Sequence, residues 1–144
     1  MTPPLRLLRV ANPLVRAVLR SPAHPLLSGS LVLLEYEGRR TGQRFRVPVL
    51  AAADERRTIA LAARPRSKQW WRTFRRPTSA RLLDRGSWRD VTGEVLLGAE
   101  RRDALRLYLG RFPRAGGALG ASLGSSDAEV DAVEAALVAF TPRP

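Results

Sequence analysis

The chain has 144 residues, is 44% hydrophobic and carries a formal net charge of +12. That length and apolar content suit one domain with a real core and exclude a wholly disordered chain. The absence of cysteine excludes disulfides, thiolate catalysis and cysteine metal sites.

The charge is almost all arginine, 24 Arg against the single Lys68. Such a field attracts phosphates and carboxylates. Alanine, leucine, glycine and proline are abundant as well, so the pattern also fits a GC-rich genome. Where particular arginines stand therefore matters more than their number. No apolar run approaches the roughly 20 residues that span a bilayer. No signal peptide is legible, and a cytoplasmic location is expected.

Residues 4–22 have helical periodicity. Leu7, Leu8, Ala11, Leu14, Val15, Val18 and Leu19 share one face, and Arg6, Arg9, Arg16 and Arg20 the other. Asn12 and Pro13 suggest a break and restart within it. This face either packs on the domain, the preferred reading, or lies peripherally on an anionic membrane at the inner face of the cell.

"SLVLLEYEG" reads as a buried strand over 30–36. After it, "QRFRVPVLAAA" alternates, with Arg44 and Arg46 on one side and Phe45 and Val47 on the other. Pro48 implies an edge or a bulge. A third strand follows at about 57–63, joined by a hairpin at 54–56. A short helix at about 67–75 carries Trp70, Trp71 and Phe74. Two strands meet at residues 85–87, and an amphipathic helix over 99–112 turns Leu105, Leu109 and Phe112 inward. The glycine-rich stretch 113–126 is expected to be a mobile loop. Asp127 caps a last short helix, and "ALVAFTPRP" closes the chain as strand or helix. The order predicts an α+β fold: a small antiparallel split β-barrel with peripheral helices, in one domain over 1–144. Within it, 1–29 form the helical segment, 30–97 the barrel strands and Trp helix, and 98–144 the C-terminal part.

His24 is the only histidine, so neither a histidine-based metal site nor a Ser-His-Asp triad can be assembled. No Walker or GxGxxG pattern occurs. An enzyme of this composition needs a cofactor that brings its own chemistry. The best candidate for holding one is "GRRTGQRFRVPV", residues 38–49. Gly38 and Gly42 permit a tight turn, Arg39 and Arg40 offer planar donor forks, and Thr41 adds a hydroxyl. Arg44 and Arg46 extend the positive surface. On physics alone this is either an anion site or a solvated hairpin tip.

The same hairpin, followed by "KQWWRTFRRPTSARLLDRG" (68–86), resembles the nitroreductase/quinone-reductase family that uses the deazaflavin coenzyme F420. The resemblance covers about residues 10–97. It implies a split barrel of the FMN-binding type, and hydride delivery from reduced F420 to quinones, nitro compounds or other electron-poor acceptors. It places the coenzyme's phosphate and acidic tail at Arg39, Arg40, Thr41 and Gln43, with Arg44 and Arg46 as helpers. Val47, Pro48 and Val49 would pass the ring system. Ala62, Ala63 and the loop to Lys68 would lie near the ring and phosphate, with Trp70 and Trp71 packed beside. The catalytic residues stay unassigned and no metal is expected. FMN or haem binding, or coenzyme storage without catalysis, is the first alternative. A basic module binding nucleic acid or membrane is the second, although no nucleic-acid motif is present.

This sequence departs from the family pattern at Thr73, where asparagine is usual, and at Phe74, where leucine is. The loop before Trp70 lacks the family's glycines. In place of a group of C-terminal tyrosines it has Tyr108 alone.

Overall fold

The structure is a computed structural model that describes residues 31–38, 40–84 and 86–143. The expectations for the N-terminal helical segment and for His24, Arg39 and Arg85 lie outside the described residues.

Six strands, β1 (Leu31–Glu37), β2 (Arg44–Ala53), β3 (Thr58–Ala63), β4 (Thr78–Asp84), β5 (Ser87–Val95) and β6 (Ala135–Pro142), close an antiparallel barrel. The order around it is β1-β2-β3-β6-β5-β4. Three helices, α1 (Gly98–Arg111), α2 (Ala115–Leu119) and α3 (Asp127–Asp131), separate β5 from β6. The fold is the one the element order predicts.

The strands alternate, and this makes two apolar layers. Leu34, Ala60, Leu82, Val91, Val138 and Phe140 fill the barrel interior. Ile59, Leu137 and Ala139 point outward and meet Ala104, Leu105 and Leu109 of α1. β6 contributes to both layers and is buried from Ala135 to Phe140. A strand covered on both faces has no alternation to display, so its pattern also allows a helix. In α1 the inward residues are Ala104, Leu105, Tyr108 and Leu109. Phe112 caps the end of the helix and packs its ring 4.8 Å from that of Tyr108. The glycine-rich stretch contains the helical turn α2, and Ser126 rather than Asp127 caps α3, in a reciprocal capping box with Glu129.

The barrel is not uniformly laced. β2 pairs with β1 all along Arg44–Leu50, but with β3 only over Ala51–Ala53. Residues 44–50 therefore have no strand partner on the β3 side. Pro48 lacks an amide donor and sits within this half-paired stretch, as its chemistry requires.

At the β2–β3 turn the Asp54 carboxylate accepts from the backbone N–H groups of Arg56 and Arg57, at 2.8 and 2.9 Å. These amide donors, chiefly that of Arg56, hold its carboxyl below the usual range. A carboxyl depressed in the folded state adds stability above its unfolded pKa, about 3.9, and loses it as pH falls through the folded value. Asp54→Ala should thus lower the melting temperature at pH 7. The gap from the parent should shrink below about pH 4, as thermal melts across pH would record.

Candidate functional site

The half-paired edge of β2 opens into a cleft of about 1290 Å³. Tyr36, Phe45, Val47, Pro48, Val49 and Leu50 line one side of it. Leu61 and Ala63 of β3 and Tyr108 of α1 line another. Two 3-10 segments, Pro65–Ser67 and Trp70–Arg75, follow β3; the third wall comes from the link between them, Lys68 and Gln69, and from Trp70, Arg72, Thr73 and Arg75 of the second. The β1–β2 hairpin adds Gly38, Arg40, Thr41 and Gln43.

The hairpin is built by short-range bonds. Gly38 N–H donates to Gln43 O at 2.7 Å, Gly42 N–H to Gly38 O at 2.8 Å, and Gln43 N–H to Thr41 Oγ1 at 3.2 Å. Of its two glycines only Gly42 takes a positive φ, 69°. Gly38 serves close approach instead, since a Cβ there would come within 3.0 Å of the Phe45 ring.

The 3-10 wall hangs from Trp70 and Phe74, buried one turn apart, with the Phe74 ring 5.2 Å from that of Phe140. Its entry is strained. Arg64 has φ 51°, left-handed for a residue with a Cβ, and precedes the first 3-10 turn. Arg64→Gly should raise stability by about 0.5–1 kcal/mol, read from urea denaturation, by removing that steric cost.

The electrostatics are one-sided. Arg40, Lys68, Arg72 and Arg75 line the cleft, and no acidic side chain does among the described residues. None of the four is in an ion pair with another described residue. Lys68 Nζ donates to Ala63 O at 2.9 Å, which swings it over the end of β3. Tyr36 is pushed up to about 12 and Tyr108 upward, both by burial, so both phenols stay neutral at pH 7.

Of the residues singled out from sequence, Arg40, Thr41, Gln43, Val47, Pro48, Val49, Ala63, Lys68 and Trp70 meet in this cleft. Four others do not line it. Ala62 alternates with Ala63 and faces the barrel interior. Trp71, in the same 3-10 segment as Trp70, donates its Nε1–H to Pro65 O at 2.8 Å instead. Arg46 turns toward β1, where its Nε donates to Glu35 Oε2 at 2.9 Å. Glu35, itself buried, also accepts from Arg81 at 3.2 Å, and both guanidiniums lie against Trp88. Arg44 borders a separate pocket of about 200 Å³ with Glu37, Asp90 and Arg143. Sequence reasoning did not assign Tyr36, Phe45, Arg72, Arg75 or Tyr108 to the site. For Arg72 and Arg75 a signal existed: their spacing of three puts them on one face of a helical turn.

The donor set fits an anionic, planar-ringed coenzyme, with apolar strand residues beside a ring system and cations for its charged chain. The comparison with known families decides which one. A family model described as F420H(2)-dependent quinone reductase matches residues 8–113. The chain belongs to this family. Its cofactor is coenzyme F420, and the oxidoreductase class follows with it. No curated protein matches the chain.

Solved structures share the fold. A structure described as an F420-H2 dependent reductase (FDR-A) superposes with TM-score 0.56 at 16% identity, over 76% of this chain and 93% of that one. A domain-swapped dimer gives 0.55 at 16%, over 88% and 98%. An FAD and heme binding protein from Mycobacterium smegmatis gives 0.50 at 16%, over 82% and 63%. For the F420H(2)-dependent quinone reductase family member described here, these likenesses establish the split barrel. Among its described residues no helix is long and apolar enough to cross a membrane, and no cluster of His, Asp or Glu could hold a metal ion.

Proposed function

We propose that this chain holds reduced coenzyme F420 in the cleft and passes hydride from it to a quinone or a similar electron-poor acceptor. The carrying observation is a cleft lined by four cations and no carboxylate among the described residues, opened by the half-paired edge of β2. The bound deazaflavin supplies the hydride chemistry, and the protein supplies grip, orientation and exclusion of water.

Arg40, Thr41 and Gln43 grip the anionic chain from the hairpin, and Lys68 meets it from the loop after β3. Val47, Pro48 and Val49 form the surface along which the ring lies. Tyr36 and Tyr108, neutral at physiological pH, serve as hydrogen-bond donors and not as bases. The acceptor enters beside Leu50, Leu61 and Tyr108, an uncharged part of the lining.

The reading is tested by mixing the purified protein with reduced F420 and menadione. The absorbance of oxidised coenzyme should then appear. Absence of both binding and oxidation overturns the reading, whereas binding without oxidation makes the chain a coenzyme carrier. We also propose, as the alternative to packing on the domain, a peripheral membrane contact through the N-terminal helical segment, residues 4–22, on sequence alone. Co-sedimentation with anionic but not neutral vesicles supports it, and no sedimentation refutes it.

A further inference from the structure

Arg72 and Arg75 line the cleft, and both side chains are exposed. Trp71 does not line the cleft but lies against both. Its ring centroid is 5.8 Å from the Arg72 guanidinium carbon and 5.2 Å from that of Arg75. The indole is pinned in turn, since its Nε1 donates to Pro65 O at 2.8 Å. Arg72 spends one nitrogen on Arg66 O, at 3.3 Å. One fixed ring thus carries two guanidiniums. Stacking restricts side chains that would otherwise sample many rotamers, and it leaves N–H edges open to an anion. The hairpin bearing Arg40 belongs to a different element of the lining, so the cleft has cations on two walls.

We propose that Arg72 and Arg75 form a second anion subsite for the charged chain of the coenzyme, and that Trp71 is its positioning residue. This rests on the reading that F420 occupies the cleft. The subsite takes a phosphate or carboxylate of the chain beyond the groups gripped at the hairpin. Trp71 touches no ligand. It acts by holding the two guanidiniums where that group lies.

Fluorescence titration with three probes tests this: complete F420, the form without glutamates, and the uncharged deazaflavin riboside. Arg72→Gln with Arg75→Gln should weaken complete F420 about 30-fold and leave the riboside within about twofold. Loss on the form without glutamates assigns the subsite to the phospholactate group. Loss confined to the complete coenzyme assigns it to the glutamate carboxylates. Trp71→Leu should reproduce most of the loss and flatten its salt dependence, and Trp71→Phe, which keeps a stacking face, should restore both. Wild-type affinity in the arginine variant, or equal loss of riboside and F420, overturns the subsite. Loss of riboside binding in Trp71→Leu overturns the positioning role in favour of ring packing. If the parent protein binds no F420, the functional reading falls. If the parent binds and the arginine variant matches it, only the subsite falls.

Discussion

Gly93→Ala will destabilise the barrel by about 3 kcal/mol, at the upper end for overpacking a core. Gly93 sits in β5 opposite Thr78 and Phe140. A Cβ there would lie 2.6 Å from Cδ1 of Phe74 and 2.7 Å from Cε1 of Phe140. Those rings are edge-to-face and almost fully buried, so neither can step aside. Phe74 belongs to the 3-10 wall of the cleft, so the substitution presses on the site as well as on the core. Urea denaturation should show the loss, and Phe74→Leu in the same chain should recover part of it. A midpoint equal to the parent's would refute the packing account.

Neutralising Arg40 and Lys68 together will weaken F420 binding by about 100-fold or more. Each charge-assisted bond to an anion contributes about 1.5–3 kcal/mol, and 1.4 kcal/mol is a factor of ten. Both side chains are exposed, so melting temperatures should barely move. The parent's affinity should also fall with ionic strength, because about 1 M salt shortens the screening length to about 3 Å. The double variant should show a shallower slope. Unchanged affinity in Arg40→Ala with Lys68→Ala would separate the cleft from the coenzyme's charged chain.

Local features made most of the barrel legible. Alternation at Phe45, Val47 and Val49 marks β2, and Pro48 marks its half-paired edge. β6 was ambiguous because Ala135–Phe140 is buried on both faces, a tertiary circumstance that removes the alternation. The hairpin end of the site was legible from Gly38 and Gly42, though only Gly42 uses its freedom in φ. For Arg72 and Arg75 the spacing of three was a local signal too weak to single them out in a chain where arginine is everywhere. What distinguishes them is tertiary: they line a cleft with no acidic side chain among the described residues, and both lie against the Trp71 ring. The same limit applied to Arg46. From sequence nothing announced that Glu35, on the neighbouring strand, would claim it.

The seven residues of β2 that lack a partner beside β3 have a bearing on solubility. An exposed strand edge is a template on which another chain can pair. Pro48 interrupts that template once, and the cations around the cleft oppose close approach of a second copy. A ligand filling the cleft would shield the rest. Coenzyme-loaded protein should therefore aggregate more slowly on heating than coenzyme-free protein, by more than its gain in melting temperature accounts for, as light scattering at matched distances below each melting point would register. On this view the coenzyme acts as the missing neighbour of a strand, guarding the fold between turnovers.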